Sequence, residues 1–348
     1  MNKMARVELD YPFEVLPTPG MAKEVAPGIH WVRMPLPFKL NHINLYLLED
    51  GDGWTMVDTG YGNDETKKLW RHVWRTVLGG RPVTRLIVTH FHPDHMGNAG
   101  WLADTLDLVP HMTQVEWLNA NLAFRRAGAA DVDTRISWYV RNGLTPERVE
   151  YFRAGQVPYP NGVSLPPAYI RIRDGERIAA AGRAWEVRVG TGHSPEHACL
   201  YAADLDVLLG GDQILPNISP NVSAWPHEPE GDPLGEFLDS LDVFAKILPE
   251  DTLVLPSHGR PFRGVHRRIA WLREHHAERL KTILGLIDRP KAAAELIETL
   301  FPFEFDGHQL GFAMGEAIAH LNRLVHAGVL VRAHGDDDVT RYERTQPN

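Results

Sequence analysis

Thr89-His90-Phe91-His92-Pro93-Asp94-His95 is the stretch of sequence that decides the fold. It places three imidazoles and one carboxylate within six residues, directly after the strand-like run of residues 86–89. His90 and His92 are two positions apart, and alternate residues of an extended segment point to the same side. The proline then bends the chain, so the two residues after it can address a second point nearby. Because imidazole nitrogen and carboxylate oxygen are ligands that zinc and related divalent metals prefer, the stretch predicts metal binding.

Three more candidate ligands stand at the ends of other strand-like runs. They are His193 in Gly190-Thr191-Gly192-His193, Asp212 in Gly210-Gly211-Asp212, and His258 in Pro256-Ser257-His258-Gly259. The neighbouring glycines let the backbone turn tightly, which can bring the strand ends together. A chance clustering of surface or core histidines is the alternative, but it does not explain why the candidates follow separate strands or share one compact cluster. Seven ligands exceed one four-coordinate shell, so the sequence predicts two metals, held by His90, His92, Asp94, His95, His193, Asp212 and His258.

The rest of the chain alternates short strand-like runs with helical patterns. Five apolar runs end in polar residues, namely residues 54–57, 86–89, 185–189, 207–209 and 253–255. Asn63 or Asp64 can cap one helix, and Asp232-Pro233 opens another. Strands interleaved with helices, with polar residues clustered at the strand ends, predict a layered α/β fold.

Two segments depart from this alternation. Residues from about 114 to 159 are helical and rich in aromatic side chains. They form either a helical insertion that packs on the core or part of the wall of a substrate pocket. From residue 265 onward, amphipathic helices are followed by a hairpin, an order that resembles a winged-helix module. We therefore expect a catalytic domain over residues 1–264 and a winged-helix-like extension over residues 265–348.

Together with Asp58 in Val57-Asp58-Thr59-Gly60, the motifs above resemble the series that marks the metallo-β-lactamase superfamily. All five motifs occur in the family's order, over about residues 25–262. The resemblance implies an αββα sandwich with the site at one edge of two packed sheets. It also implies a hydrolase in which two metals generate a bridging hydroxide and polarise the oxygen under attack.

The resemblance assigns a role to each candidate residue. It divides the ligands between two metals, with His90, His92 and His193 on the first, Asp94, His95 and His258 on the second, and Asp212 bridging both. Asp58 would orient the ligand loop without binding metal, although it can also be read as a turn residue before Thr59-Gly60. Asp94 is the candidate catalytic residue, because it can accept a hydrogen bond from the attacking water. Zn²⁺ is the expected metal, with iron and manganese as alternatives.

The details of the motifs indicate which branches of the superfamily this chain resembles. A bridging Asp212 resembles the motif set of glyoxalase II, of acyl-homoserine-lactone lactonases and of phosphodiesterases, and differs from the zinc β-lactamases that use Cys. The extension after His258 resembles that of the lactamase-beta-like hydrolases, a group linked to thioester hydrolysis and to cleavage of single-stranded RNA. Glu196 stands where the family more commonly has Gly, a departure whose simplest effect is a changed turn.

These features favour hydrolysis of an ester, thioester or lactone carbonyl. The alternatives are a phosphodiesterase or endoribonuclease of the lactamase-beta-like type, and an oxidoreductase with a single iron. The chain has 36 Lys and Arg against 45 Asp and Glu, a net charge of −9 that would repel a polyanion. The aromatic side chains of residues 114–159 suit an apolar acyl or ring group.

Three residues are candidates for contacts with the substrate. Trp225 and His227 lie in residues 216–227, which follow Asp212 and form either a pocket wall or a packed connector. Arg260 begins a basic run that is either a solvated helix face or a site for a substrate carboxylate or phosphate.

Length and composition limit the remaining possibilities. Cys199 is the single cysteine of the 348 residues, which excludes an intrachain disulfide and, with no apolar signal core near the N-terminus, favours the cytoplasm. No run approaches the ~18 apolar residues of a membrane helix. From residue 291 onward there are five Lys and Arg against nine Asp and Glu, which argues against sequence-specific DNA binding. We expect a small-molecule substrate, and a tail that packs on the catalytic domain or forms a homo-oligomer interface.

Overall fold

A seven-stranded sheet contains the N-terminal strands of the chain. The computed structural model describes residues 7–302 and 304–345, and within them this sheet keeps its strands in sequence order. The first four strands pair antiparallel, and the last four pair parallel. The strands are β1 Ala22–Ala26, β2 Ile29–Pro35, β3 His42–Asp50, β4 Gly53–Val57, β5 Val83–Ile87, β6 His111–Met112 and β7 Ile170–Arg171.

A second sheet of five strands packs against the first. Its order is β12-β11-β10-β9-β8, with antiparallel pairs except for the parallel pair β11 and β12. These strands are β8 Arg177–Ala180, β9 Arg183–Gly190, β10 His197–Ala202, β11 Val207–Gly211 and β12 Leu253–Pro256. A small antiparallel sheet near the C-terminus consists of β13 Leu330–His334 and β14 Thr340–Arg344.

Helices cover the outer faces of both large sheets and form most of the C-terminal part. They are α1 Asp64–Thr76, α2 Pro93–Met96, α3 Ala99–Leu106, α4 Gln114–Arg126, α5 Ala129–Arg141, α6 Pro146–Ala154, α7 Pro233–Ile247, α8 Val265–Leu286, α9 Ile297–Leu300 and α10 Gly307–His326. The predicted caps are present, because the Asn63 side chain accepts from Thr66 N and the Asp232 side chain accepts from Gly235 N. Of the helices in the described residues, none is long and apolar enough to cross a membrane.

Alternation along the strands explains how the layers form. Trp31 and Tyr46 point into the core between the two sheets. Their neighbours Val32 and Leu45 point to the opposite face, where they pack with Trp70 of α1. Because both faces of the central strands are covered, most of their residues are apolar. The predicted αββα sandwich of the α/β class is confirmed.

Helix α10 is the centre of a separate core in the C-terminal part. Its Met314 and Ile318 pack with Tyr139 of α5 and Phe152 of α6. The helical segment between β6 and β7 therefore packs on the C-terminal helices as well as on the sandwich. The C-terminal part ends in the small sheet of β13 and β14, in the order of elements that the sequence predicts.

Helix α8 belongs to two cores at once. Its first half places Ile269 and Leu272 among the residues that join the second sheet to α7. Its second half places Ile283 in the core around α10. The helix therefore connects the sandwich to the C-terminal part through buried contacts along its length.

Candidate metal centre

Loops at one edge of the sandwich carry all seven predicted metal ligands. His90 follows β5, His193 follows β9, Asp212 follows β11 and His258 follows β12. The pairs β4–β5 and β11–β12 are parallel, so their carboxyl ends lie at the same edge of their sheets. The short helix α2 then contributes Asp94 and His95. The fold thus brings together side chains that are up to 168 positions apart in the sequence.

The first cluster contains His90, His92, His193 and Asp212, whose ligand atoms lie within 4.8 Å of one another. The distance from His90 Nε2 to His92 Nδ1 is 2.9 Å, and that from His90 Nε2 to His193 Nε2 is 3.3 Å. Asp212 Oδ2 lies 3.5 Å from His193 Nε2. These are the residues that the sequence predicts for the first metal, together with the predicted bridge.

The second cluster contains Asp94, His95 and His258. Asp94 Oδ2 lies 3.3 Å from His258 Nε2 and 3.8 Å from His95 Nε2. Asp212 also faces this cluster, with Oδ2 at 3.5 Å from His95 Nε2 and Oδ1 at 3.4 Å from His258 Nε2. The Asp212 carboxylate therefore stands between the two clusters.

Hydrogen bonds on the outer side of the imidazoles fix their orientation. His193 donates from Nδ1 to Asn221 O at 2.9 Å, and His258 donates from Nδ1 to the main-chain oxygen of His42 at 2.8 Å. His95 donates from Nδ1 to Asp58 Oδ2 at 2.8 Å. In the neutral form of each ring the proton lies on the outer nitrogen, so Nε2 then presents its lone pair to the cluster.

Asp58 is positioned to orient two of the histidines. Its Oδ1 accepts from Thr89 N at 2.8 Å, and its Oδ2 accepts from Thr89 Oγ1 at 2.9 Å as well as from His95. Thr89 Oγ1 is then left to accept from His90 Nδ1 at 3.1 Å. The residue is buried and has a positive φ of 61°, a backbone conformation that is costly for a residue other than glycine.

The donor set fits divalent metals. Lone pairs of His90 Nε2 and His193 Nε2 face each other at 3.3 Å, and no proton is left to lie between them. Among the described residues, His95 Nε2 and Asp212 Oδ1 are buried without a hydrogen-bond partner. Unpaired buried lone pairs are costly, and a cation at this point satisfies them. Histidine nitrogen and carboxylate oxygen are also the donors that zinc and similar ions take.

The pKa shifts of the histidines in the metal-free site indicate which protons a metal would displace. Burial opposes the charged form of His258, but Asp212 and Asp94 outweigh it and raise the pKa of His258 to about 10. Burial lowers the pKa of His92 to about 3, and the neighbouring His193 adds to the effect. A proton therefore occupies the second cluster more readily than the first, and metal binding there releases it.

His197 supports the cluster without being part of it. Its Nε2 accepts a hydrogen bond from Asp212 N at 3.0 Å, and its ring is fully buried. A Cβ on Gly211 would lie 2.3 Å from His197 Cε1, and Gly211 has φ of 51°, so only glycine fits before Asp212. Sequence reasoning missed this contact; the adjoining Gly210-Gly211 was the available signal.

The candidate substrate residues lie in different surroundings. Trp225 lines a small cavity together with Ser223, Arg135, His308 and Phe312. His227 stacks on Trp225, with ring centroids 6.5 Å apart. The Arg260 guanidinium lies over the Tyr11 ring at 4.3 Å. Of the three predicted residues, Trp225 is the one that lines this cavity.

Two loops connect the metal clusters to helix α10. The loop between β2 and β3 ends at His42, whose main-chain oxygen accepts from His258. In this loop the Phe38 ring packs against Tyr61 and against His308 of α10, with centroid distances of 5.2 Å and 6.0 Å. Burial and the Asp94 carboxylate both raise the pKa of Tyr61. The loop after Asp212 holds His193 and continues to α10, where Ala224 N donates to Gly315 O. The C-terminal part thus lies against both loops that flank the clusters. This agrees with the expectation of a tail that packs on the catalytic domain, although the sequence did not indicate which loops it contacts.

Fold and site together define a member of the metallo-beta-lactamase superfamily. The model of that family matches residues 39–258, and a model described as the metallo-beta-lactamase-like C-terminal domain matches residues 280–345. The chain belongs to this superfamily, and it is a hydrolase.

Particular relatives cover most of the chain. A crystal structure of a beta-lactamase domain protein from Burkholderia ambifaria is 45% identical and has a TM-score of 0.90, covering 97% of this chain and 98% of that one. The probable metallo-hydrolase YqjP of Bacillus subtilis (strain 168) is 25% identical over 305 residues, which are 84% of this chain and 91% of the relative. An atrochrysone carboxyl ACP thioesterase of Pseudocercospora fijiensis (strain CIRAD86) is 23% identical over 209 residues, which are 60% of this chain and 45% of that protein.

Proposed function

We propose that this protein uses two divalent metals, with Zn²⁺ as the metal expected, to hydrolyse an ester, thioester or lactone carbonyl. The observation that carries the proposal is the position of Asp212 between two clusters of ligand atoms. In this proposal His90, His92 and His193 hold one metal, and Asp94, His95 and His258 hold the other. Asp212 holds both.

The residues around the clusters have defined tasks in this reaction. Two metals bound there supply an activated water at neutral pH and polarise the oxygen under attack. Burial opposes ionisation of Asp94, but His95 and His258 outweigh it and lower the pKa of Asp94 to about 2. Its carboxylate is therefore ionised and accepts a hydrogen bond from the attacking water, which orients the water towards the substrate. Asp58 and the main-chain oxygens of Asn221 and His42 keep the imidazoles oriented throughout.

The surroundings of the clusters support a carbonyl substrate. Phe38, Trp225 and Phe312 lie along the two flanking loops and α10, and they offer aromatic surface to an acyl or ring group. The net charge of −9 does not favour a polyanion such as RNA. The similarity to a protein named as an acyl-carrier-protein thioesterase points in the same direction.

One panel of substrates tests the reaction class. At fixed metal content, we expect turnover of a nitrophenyl ester, an acyl thioester and an acyl lactone that persists at high salt. Bis-nitrophenyl phosphate and single-stranded RNA serve as the phosphoryl arm of the panel. Turnover confined to these two would show that the centre under attack is phosphorus.

Removal of Asp212 tests the two-metal site. Asp212→Ala is expected to lose much of one metal equivalent and nearly all turnover, because both clusters lose a ligand. Metal content measured by elemental analysis after purification without added metal gives the result directly. The control is Asp52→Ala, an exposed carboxylate in the turn between β3 and β4. Two retained metals with full activity in Asp212→Ala would contradict the shared-ligand arrangement.

A further inference from the structure

Glu116 is a fully buried carboxylate that contacts two of the three loops that carry the first cluster. Its Oε2 accepts from Phe91 N at 3.0 Å, and its Oε1 accepts from Glu196 N at 2.7 Å. Phe91 lies between His90 and His92, and Glu196 lies three residues after His193. One side chain therefore joins the loop that follows β5 of the first sheet to the loop that follows β9 of the second.

Glu196 returns the contact. Its Oε2 accepts from Val115 N at 3.0 Å, and its main-chain oxygen accepts from Thr113 Oγ1 at 2.9 Å. Together with the bond from Glu196 N to Glu116 Oε1, three hydrogen bonds link the start of α4 to the loop after His193. The glutamate at position 196, where a glycine would have no side chain to offer, caps the helix that carries Glu116.

The Phe91 peptide unit is held from both sides. Tyr159 Oη donates to Phe91 O at 2.5 Å, while Glu116 accepts from Phe91 N. The main chain between His90 and His92 therefore has little freedom to rotate. Because the direction of each imidazole follows from the main chain that carries it, this restraint acts on the spacing of the ligand atoms.

Two other roles for Glu116 do not agree with its contacts. Thr113-x-x-Glu116 has the spacing of a capping box, but the Thr113 side chain makes no capping bond within α4, and its hydroxyl donates to Glu196 instead. A direct role with substrate would need an accessible oxygen, whereas Glu116 is 0% exposed and both oxygens accept main-chain hydrogen bonds.

We propose that Glu116 is a positioning residue that sets the distance between the His90–His92 loop and the His193 loop, and so the affinity of the first cluster for its metal. This inference rests on the proposed metal centre. Buried carboxylates that accept main-chain N–H groups hold loops in one arrangement, since an unpaired N–H in the interior is costly. Burial raises the pKa of Glu116 to about 7. Burying its charged form therefore costs free energy of folding, a cost that an apolar residue at this position would not have.

Metal binding by the metal-free protein tests the inference. We expect Glu116→Gln to lower the affinity of the first cluster for Zn²⁺ by about 10- to 100-fold, measured by competition with a chromophoric chelator. Glutamine has the same shape, but its amide NH₂ faces a main-chain N–H, so one of the two bonds is lost. Glu116→Ala removes both bonds and is expected to lower the affinity further. The visible spectrum of the Co²⁺-loaded protein is expected to change in both variants, because it reports the geometry of the ligands.

Glu316→Gln is the matched control. Glu316 is a largely buried carboxylate of α10 that pairs with Arg279 of α8 at 3.0 Å and belongs to neither cluster. We expect it to lower the thermal midpoint without changing metal affinity or the Co²⁺ spectrum. The far-UV circular dichroism of each metal-free variant, recorded at the temperature of the titration, identifies the folded fraction to which the affinity refers.

The possible results separate the inference from the proposed function. Wild-type affinity and an unchanged Co²⁺ spectrum in folded Glu116→Gln would overturn the inference and leave the metal centre intact. A loss of affinity equal to that of Glu316→Gln would also overturn it, because it would show a general effect of a buried substitution. Failure of the wild-type protein to bind metal would instead overturn the proposed function. Ester hydrolysis is not measured in any of these steps.

Discussion

Asp58 joins two candidate ligands through a single carboxylate, directly to His95 and by way of Thr89 to His90. We expect Asp58→Ala to lower metal affinity by about 10- to 100-fold, because the imidazoles lose the acceptor that fixes their tautomer and direction. Competition with a chelator measures the affinity of the metal-free protein. Asp52→Ala, at an exposed turn, is expected to bind as the wild type does. Unchanged affinity in Asp58→Ala would leave Asp58 with only the role of a turn residue.

The spacing of residues in the sequence predicts seven side chains that the fold brings into two clusters, and it predicts Asp58 as a residue that orients them, but it does not predict their other supports. The seven candidates could be found because each follows a strand, and strand ends meet at an edge. Glu116 could not, because its partners are main-chain N–H groups 25 and 80 positions away in the sequence. For His197, whose partner is the main-chain N–H of Asp212, the adjoining Gly210-Gly211 was the available signal. Nothing in the composition of α4 distinguishes a buried glutamate near its start from an ordinary acidic residue in a first turn.

At the scale of elements, helix α10 meets the β2–β3 loop through the stacked rings of Phe38 and His308, and Phe312 lies beside His308. Phe312 of α10 is 40% exposed and Phe38 of the loop is 38% exposed, so both rings offer apolar surface to a ligand. We expect Phe312→Ala and Phe38→Ala to raise the KM of a nitrophenyl ester about tenfold, the effect of ~1.4 kcal/mol of lost contact. The value of kcat and the metal content are expected to change little, because neither ring belongs to the metal-binding clusters.

Steady-state kinetics with an aromatic and an acetyl ester check this prediction. The smaller ester is expected to be affected less, since it has no ring to place against the aromatic surface. Val331→Ala on β13 is the control, because Val331 is 41% exposed and lies in the small C-terminal sheet. Equal effects on both esters would indicate that Phe38 and Phe312 act on the fold of the loops and not on the substrate.

The elements themselves were largely predictable, whereas their contacts across the chain were not. The helices of residues 114–159 and the C-terminal hairpin appear where amphipathic patterns and turn residues place them. The meeting of α10 with two loops of the sandwich depends on pairs such as Phe38 and His308, 270 positions apart. Local patterns in a sequence carry no information on such pairs.

At the scale of the whole molecule, a buried histidine pair joins α8 to α10. His276 Nδ1 lies 3.1 Å from His320 Nε2, and His320 Nδ1 donates to Glu316 O at 2.7 Å. His276 Nε2 lies 3.2 Å from Ser219 Oγ, in the loop that follows Asp212. Because His320 donates from Nδ1, its Nε2 accepts from His276 Nδ1, and a neutral His276 then accepts at Nε2 from the Ser219 hydroxyl.

Acidification is expected to destabilise the protein through this pair. Burial lowers the pKa of His320 to about 3, and burial and His320 lower that of His276 well below its ordinary value. The neutral form is favoured in the folded state, so its contribution is present above pH 6.5 and is lost as the pH falls towards 3, at about 1.4 kcal/mol per pH unit for each histidine. Arg279 and His275 also lower the pKa of both His276 and His320. Glu316 has the opposite effect on the pH dependence of stability. Burial raises its pKa, so the folded state favours its protonated form and acidification stabilises the protein at this residue.

Urea unfolding of the metal-free protein between pH 4.5 and 7 measures this dependence. His320→Gln is expected to show a smaller decrease in the free energy of unfolding over that range than the wild type, since one titrating group is gone. His334→Gln, an exposed histidine at the end of β13, is expected to follow the wild-type slope. The same slope in all three proteins would show that the pair does not titrate between the folded and unfolded states.

Helix α8 has a consequence for how chains of this kind can be recombined. Its first half packs in the core of the sandwich, and its second half packs in the core around α10. A chimera joined in the loop before Val265 would therefore place the first half of one protein's α8 against the sandwich of another. A graft that changes the C-terminal part while keeping the sandwich needs its junction inside the helix, between Leu272 and Ile283. An exchange of the C-terminal part would therefore be joined within continuous helix, where one inserted or deleted residue rotates every following side chain by about 100° around the helix axis.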